Sequence, residues 1–423
     1  MACRACFLFA FVLIAGCKKQ EVEIVNDGKP VIFAITPTVG RAGNNVNITG
    51  ANFAKLPQDN KVFFNGIPAR LSVGIDEELL VTVPSGATTG PVTIEVPGYG
   101  TITGPVFTIE KFLQTDLFIT DRGLIQQIVF DESGQFTQHV LFNVSVNFPS
   151  LSMHEFAVDT AEKKIYVTNG QGGGDIKILK VDIATGTGTV LYDTTDNAFP
   201  RIFWHEGVSY GAYVHSITID AERRVFYATS VNRIIKGNMD GGTPAQVIYE
   251  SPVSSSPMGV AFVRETNSIY WCEPTAKKVY RLLLNGPGIP EVLYDESDGL
   301  LSPFRVAVDV TGNRVFIVDD PVNDLSGQIL DNIYIGKPDG SGNLQSFITS
   351  ENGNALNVRG IHYDAAHQLL YWSTQSLAVG GGKRIVRANP SAPNAVPDIL
   401  VDRFGDYQNT LGELQYFGVG ATK

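Results

Sequence analysis

The feature that most constrains the fold is a repeat of paired apolar segments that starts near residue 116. Each copy has an apolar segment that often ends in aspartate, a short turn, and a second segment rich in aromatic and β-branched residues. The five complete copies begin at His154, His215, Met258, Phe304 and Arg359. Helical periodicity is almost absent between them, so the sequence predicts an all-β chain built from similar sheets.

A sixth copy is divided between the two ends of the repeat. Residues 117–121 match a second segment that has no first segment before it, whereas residues 414–419 match a first segment without its second. Joining them predicts a closed ring, a six-bladed β-propeller over residues 116–423 with no open sheet edge at the seam. The second segments resemble the YWTD and NHL propeller families, although no copy contains the full Tyr-Trp-Thr-Asp tetrapeptide. The pieces that carry this likeness are 119–121, Tyr270 with Trp271, and Tyr371 with Trp372.

Residues 30–110 have a different pattern, with short strand-like runs separated by Gly, Pro and Asn. Asn65 and Gly66 stand between two apolar runs, as in a two-residue hairpin turn. The opening Pro-x-Ile-x-x-Ile-x-Pro, the Ile-x-Gly-x-Asn-Phe turn and the Phe-Asn-Gly hairpin resemble the IPT/TIG family of immunoglobulin-like domains. This resemblance implies a small sandwich that acts as a spacer.

The first residues predict export. A basic start, a short uncharged apolar run and the small residues Ala15 and Gly16 ahead of Cys17 describe a secretory signal over residues 1–16. The run is shorter than the roughly 20 residues that a membrane span needs. Residues 13–17 resemble the bacterial lipobox, which implies lipid attachment at Cys17 and a flexible tether over residues 17–29. An ordinary signal peptide with a chance cysteine is the alternative.

Export and lipidation leave Cys272 as the one thiol of the mature chain. Its place in the apolar run 269–272 predicts a buried structural thiol. The 43 acidic residues outnumber the 32 basic ones, and this excess argues against a nucleic acid partner. The triple glycine at 172–174 lacks the Lys-Ser/Thr of a phosphate loop, and the acidic loop at 319–324 lacks a calcium spacing. The sequence therefore predicts neither a cofactor nor a metal.

One position recurs in all five complete copies, five residues before the end of the first segment. It holds His154, His215, Met258, Phe304 and Arg359, which we expect to surround one mouth of the channel. Two histidines raise the hypothesis of a metal site, but Met and Phe occupy other positions of the ring and no acidic residue aligns with them. His154, His215 and Arg359 are therefore candidate ligand contacts, with histidine hydrogen bonds to backbone as the alternative.

An aromatic insertion at residues 199–213 precedes one of the channel segments. Long loops on a rigid scaffold tend to carry function. Trp204, Tyr210 and Tyr213 form a candidate platform for stacking sugar rings. The alternative is that these side chains plug the channel or cover a core edge.

Lipid anchor, spacer and propeller together resemble surface polysaccharide-binding lipoproteins. That resemblance implies capture of a polysaccharide or oligosaccharide at the cell surface, with the outer membrane as anchor and a transport protein in that membrane as partner. A periplasm-facing position stays open, because Lys18 and Lys19 follow the cysteine. Two other functions also stay open: a protein-binding scaffold, and an enzyme that acts on a carbohydrate or lactone. The carboxylates nominated near the mouth for an enzyme lack a catalytic motif: Glu155, Glu206, Glu273 and Glu413.

Overall fold

The computed structural model divides the chain into two compact units, residues 1–111 and 112–423. The signal segment and Cys17 lie outside the described residues. In the described part, no helix is long and apolar enough to cross a membrane. The residues that the structure describes are 28–40, 43–84, 86–109, 117–121, 124–130, 136–144, 148, 153–169, 176–199, 202–205, 208–211, 214–252, 255–321, 331–349, 358–375, 383–392, 395, 397–404 and 417–419.

The first unit is an immunoglobulin-like sandwich of two sheets, ordered β1-β3-β7-β6 and β2-β9-β8-β4-β5. Its strands are β1 (Val31–Thr36), β2 (Val39–Gly40), β3 (Asn45–Ala51), β4 (Lys61–Phe64), β5 (Ile67–Pro68), β6 (Arg70–Ile75), β7 (Glu78–Thr82), β8 (Gly90–Val96) and β9 (Gly100–Ile109), with a 3-10 turn at Pro57–Asp59. Alternate residues such as Val46 and Ile48 of β3 face the core, as period-two patterning requires. Asn65 and Gly66 both have positive φ, 45° and 86°, and turn β4 into β5, which confirms the hairpin.

The second unit is a six-bladed β-propeller of four-stranded sheets. Blade 1 contains β10 (Leu117–Asp121), β11 (Leu124–Phe130), β12 (Phe136–Asn143) and β35 (Phe417–Val419). Blade 2 contains β13 (Met153–Asp159), β14 (Lys164–Asn169), β15 (Lys177–Asp182) and β16 (Thr187–Asp193). A two-stranded ribbon follows, β17 (Ile202–His205) and β18 (Val208–Gly211). Blade 3 contains β19 (Val214–Asp220), β20 (Val225–Ser230), β21 (Arg233–Asn238) and β22 (Gln246–Glu250).

The other three blades have the same order. Blade 4 contains β23 (Met258–Val263), β24 (Ser268–Glu273), β25 (Lys278–Leu283) and β26 (Glu291–Tyr294), followed by a 3-10 turn at Glu296–Asp298. Blade 5 contains β27 (Pro303–Asp309), β28 (Arg314–Asp319), β29 (Asn332–Gly336) and β30 (Gln345–Thr349). Blade 6 contains β31 (Ile361–Asp364), β32 (Leu369–Gln375), β33 (Lys383–Ala388) and β34 (Asp398–Phe404).

Blade 1 closes the ring. Its inner strand β35 pairs antiparallel with β10, Val419 opposite Leu117 and Phe417 opposite Ile119. The inner strand of each blade contacts that of the next, and β35 contacts both β13 and β31. The predicted joining of the two ends is therefore confirmed.

A buried aspartate ends the inner strand in four blades: Asp159, Asp220, Asp309 and Asp364. Each accepts a backbone N–H from the turn that follows it. The residue before the second strand is left-handed in these turns, for example Arg224 with φ 55°. The repeated aspartate is thus explained by the turn it stabilises.

These aspartates also link neighbouring blades. Arg224 of blade 3 donates to Asp159 of blade 2 at 2.9 Å, and Arg264 of blade 4 donates to Asp220 of blade 3 at 3.0 Å. Blade 4 has Val263 at the equivalent position, buried in the core. Asp159 and Asp220 therefore stabilise both the turn within a blade and the junction with the next blade.

The core consists of clusters between adjacent blades. Trp271 is fully buried and stacks on Tyr280, with ring centroids 5.2 Å apart. Beside it, Cys272 is fully buried, and burial raises the pKa of its thiol. Cys272 is thus a structural thiol, as the sequence predicts.

Replacing Asp220 with alanine should destabilise the propeller by about 3 kcal/mol, because a buried carboxylate is removed from three donors. Those donors are the backbone N–H and Nη1 of Arg223 and Nη2 of Arg264. Thermal and chemical denaturation measure the change. Asp339→Ala is the control, since Asp339 is exposed and accepts from Ser341 within its own turn. Equal losses in the two variants would contradict the role given to the aspartates between blades.

Candidate functional site

The mouth of the channel lies where the inner strands begin. Phe304 stands there between two guanidinium groups, with Arg305 Cζ 4.1 Å and Arg359 Cζ 5.4 Å from its ring centroid. Arg359 also donates to Asp320 Oδ2 at 2.7 Å. His215 and Met258 are partly buried on their strands, and His154 lies on β13 with its side chain outside the described part. The structure therefore brings Phe304 and Arg359 together, and the carboxylate and the ring hold Arg359 in place.

One residue after each mouth position lies a second row, of which Glu155, Gly259 and Arg305 line the channel cavity. The row contains Glu155, Ser216, Gly259, Arg305 and Gly360. Blades 2 and 5 are opposite each other in a ring of six, so Glu155 and Arg305 reach toward each other across the axis. Arg305 Nη2 lies 4.0 Å from Glu155 Oε2. This trans-channel pair is an ion pair without a hydrogen bond between its two facing atoms.

Both partners of the trans-channel pair are held by the protein. Arg305 is only 2% exposed, and it donates from Nε to the Arg359 carbonyl at 3.1 Å and from Nη1 to the Phe304 carbonyl at 3.2 Å. Burial raises the pKa of Glu155, while the charge of Arg305 and a hydrogen bond from Ser216 act in the opposite direction. Ser216 Oγ in turn accepts the Val260 N–H at 2.9 Å. Hydrogen bonds to nearby backbone and to Ser216 therefore hold both side chains in a frame, although none joins their facing atoms, Glu155 Oε2 and Arg305 Nη2.

Gly259 makes room for this frame. It has φ +53°, and a Cβ there would lie 2.6 Å from the Phe304 carbonyl oxygen and 2.7 Å from Arg305 Cα. Those distances are shorter than any ordinary contact, so a side chain at 259 would displace the strand that carries Arg305. This row lies one residue after the aligned mouth position, and Glu155 is its one member that the sequence nominates, as a candidate catalytic carboxylate. The opposite charges of Glu155 and Arg305 in facing copies are the signal that identifies it.

A cavity of about 300 Å³ adjoins the trans-channel pair and is lined by the inner strands of blades 2 to 6. Thr218 Oγ1 of blade 3 accepts a hydrogen bond from the Phe262 N–H of the neighbouring blade 4 at 3.3 Å. Phe262 lies on an inner edge strand, and the hydroxyl satisfies this backbone donor. His362 also lines this cavity, and burial lowers the pKa of its imidazole to about 4. In the described part of the channel, the polar groups therefore include the His362 imidazole, the Thr218 hydroxyl and the trans-channel pair.

Two further buried carboxylates, Asp319 and Asp331, lie close to Asp320, the partner of Arg359. Asp331 is fully buried and accepts the Val358 N–H, and burial together with the nearby charge of Asp320 raises the pKa of its carboxyl. Asp319 accepts the N–H groups of Leu301 and Ser302. Among the described residues, no group of three or more His, Cys, Asp or Glu side chains is arranged to hold a metal ion.

Of the carboxylates nominated for catalysis, Glu273 belongs to the core. It is 1% exposed and accepts hydrogen bonds from Trp271 Nε1 at 3.1 Å, from the hydroxyls of Ser251 and Ser255, and from Tyr249 Oη. Both of its oxygens are therefore engaged by the protein. Glu206 and Glu413 lie outside the described residues.

The aromatic insertion forms the antiparallel ribbon β17–β18, which ends shortly before the inner strand β19 begins. Phe203 pairs with Tyr210, and Trp204 pairs with Ser209. Since successive positions alternate between the faces of a strand, positions 204 and 210 belong to opposite faces of the ribbon. Tyr213 lies outside the described residues.

The fold and the site define an immunoglobulin-like domain and a closed six-bladed propeller with a framed channel mouth. Residues 30–109 match the IPT/TIG domain family, which confirms the resemblance for that segment.

Similar solved structures include a nidogen/laminin complex, at 15% identity over 64% of this chain and 88% of that chain, TM-score 0.47. An auxiliary nutrient binding protein from Bacteroides thetaiotaomicron is 13% identical over 81% of this chain and 94% of that chain, TM-score 0.46. TolB from Acinetobacter baumannii is 10% identical over 79% of this chain and 81% of that chain, TM-score 0.46. Likenesses this distant carry no argument about what this chain binds.

Acidification should lower the stability of the propeller, because the pKa of His362 is lowered by folding. Its pKa is lowered from 6.5 to about 4 in the folded protein, so below pH 6.5 the unfolded chain takes up a proton that the folded chain does not. Stability is therefore lost between pH 6.5 and pH 4, by up to ~3 kcal/mol for this shift.

His362→Gln should remove that part of the pH dependence, as measured by denaturation at pH 7 and pH 4. His139→Gln is the matched control, because His139 is exposed on β12. If His362→Gln unfolds with the same acid sensitivity as the parent protein, the buried neutral imidazole is not its source.

Proposed function

We propose that this protein is a membrane-anchored surface protein that captures carbohydrate on the rim of its propeller. The observation that carries the proposal is the ribbon β17–β18. Its backbone register places positions 203 and 210 on one face and position 204 on the other, on a paired element that ends shortly before a channel strand. Pyranose rings have apolar C–H faces that pack on aromatic side chains, and a paired ribbon loses less conformational entropy on binding than an open loop.

The charged groups at the mouth support binding over catalysis. Arg359 is held by Asp320, and Arg305 is held by two backbone carbonyls and faces Glu155. Catalysis by paired carboxylates needs two such groups that converge on a reacting bond. In the described part of the mouth, these side chains instead form a rigid frame under the rim.

Membrane attachment through Cys17 and a place on the outer membrane surface belong to the same proposal. A lipid with several acyl chains holds a protein stably where a single chain does not. Residues 17–29 then serve as tether and the IPT/TIG domain as spacer, and a transport protein in the same membrane receives the captured polysaccharide. Two of the similar solved structures are named nutrient binding proteins, but that likeness is too distant to carry this role over.

Trp204→Ala in the full-length protein should weaken binding of the captured oligosaccharide by about tenfold or more, since truncating a central aromatic contact typically costs ~2 kcal/mol. A glycan array identifies the ligand, and isothermal titration measures Kd. Tyr99→Ala is the control, an aromatic of the IPT/TIG domain that is 55% exposed. Binding to no plant, host or microbial polysaccharide would refute carbohydrate capture, and turnover of a bound glycan would favour an enzyme.

Cys17→Ser should release the protein from the membrane fraction, because the hydroxyl cannot take the place of the thiol in lipid attachment. Fractionation and mass spectrometry of the mature N-terminus measure the effect. Proteolysis of intact cells distinguishes the outer surface from the periplasmic side. A Cys17→Ser protein that still sediments with membranes would show that something other than the lipid holds it there.

A further inference from the structure

A second cavity, of about 790 Å³, opens on the outer side of the ring between blades 2 and 3. Its walls are residues 190–198, at the end of β16 and in the loop that follows, and residues 242–247, in the turn before β22 and its first positions. We call it the 2/3 crevice. Its volume falls within the range of about 300 to 1,000 Å³ typical of small-molecule sites.

Hydrogen bonds join the two walls of the 2/3 crevice. Tyr192 Oη accepts the Asn238 N–H at 2.9 Å and donates to the Thr243 carbonyl at 3.0 Å. Asp196 Oδ2 accepts the Ala245 N–H of the other wall at 2.8 Å. Tyr192 also packs edge-on against Phe226, with centroids 5.4 Å apart. The crevice is therefore formed before any ligand binds, which lowers the entropy cost of binding.

The lining of the 2/3 crevice is amphipathic. Val190 and Val247 are 42% and 40% exposed and supply aliphatic surface. Thr195, Asn197 and Thr243 are exposed and supply hydroxyl and amide groups. This mixture matches a sugar ring, which has C–H faces and a rim of hydroxyls.

Charge narrows the class of ligand further. Asp193 and Asp196 line the crevice, and none of its described lining residues is Lys, Arg or His. Asp193 Oδ1 accepts from the N–H and the hydroxyl of Thr195, and such hydrogen bonds favour the ionised carboxylate. Two carboxylates, with no cationic side chain among the described lining residues, disfavour uronic and other acidic sugars. Neutral sugars are left as the fitting class.

The crevice is also close in sequence to the aromatic ribbon. Ala198 is its last lining residue on that wall, and the ribbon begins at Ile202. We infer that the 2/3 crevice is a second carbohydrate subsite, which takes sugar units of a neutral oligosaccharide whose other units contact the ribbon. This inference rests on the proposed function and adds the class of ligand and the second point of contact.

Val247→Arg fills the crevice and has an exact counterpart elsewhere in the ring. Val247 pairs with Ile235 in blade 3, and Val292 occupies the same place in blade 4, paired with Tyr280 and 47% exposed. Both full-length variants are titrated with cellohexaose, maltohexaose, xylohexaose and mannohexaose, and with polygalacturonic acid oligomers. For the neutral hexasaccharide that binds, Val247→Arg should lower affinity about tenfold or more, while Val292→Arg should stay within about twofold.

Asn197→Ala tests the same subsite without adding bulk, and should lower affinity about threefold to tenfold, as the loss of one hydrogen bond predicts. Unchanged affinity in both Val247→Arg and Asn197→Ala, with a neutral hexasaccharide still bound, overturns the crevice subsite and leaves rim capture standing. Tighter binding of the acidic oligomers overturns the neutral class. If no oligosaccharide binds the parent protein, the proposed function fails and the subsite fails with it.

Discussion

The pairing of β35 with β10 is the constraint on which the rest of the propeller depends. A row of four-stranded sheets with two free edges leaves unpaired backbone donors and acceptors at both ends. Three residues, Phe417–Val419, supply the missing inner strand of blade 1 and bring it into contact with the inner strands of blades 2 and 6. Only in a closed ring do blades 2 and 5 stand opposite each other, so the trans-channel pair and the framed mouth exist because the seam closes.

Closure also determines which side chains meet at the channel. The trans-channel pair of Glu155 and Arg305 spans the axis, and the Phe304 and Arg359 side chains lie at the mouth. The ribbon β17–β18 and the 2/3 crevice follow one another along the chain between blades 2 and 3. The proposed capture of an extended glycan uses these two segments.

Local rules account for the parts of the fold that the sequence predicts. Period-two apolar runs predict the strands, Asn65 and Gly66 predict the hairpin, and the divided copy predicts the seam because each half carries its own recognisable pattern. The sequence predicts Glu155 only as a carboxylate near the mouth. The approach of Arg305 to Glu155 is not predictable from local patterns, because it depends on blades 2 and 5 facing each other in the closed ring.

The candidate site is less predictable than the fold, because its parts meet only in three dimensions. The aromatic residues at 199–213 stand out in sequence, but the pairing of Phe203 with Tyr210 changes which of them share a face. The 2/3 crevice joins segments about fifty residues apart through Tyr192 and Asp196, and neither residue belongs to a motif.

Hydrogen exchange with and without a bound neutral hexasaccharide tests rim capture most directly, because it reports which backbone segments a ligand protects. We expect slower exchange in residues 190–198, 202–211 and 242–247, with little change in residues 30–109. Protection confined to the IPT/TIG domain, or to the strands that line the channel, would contradict it.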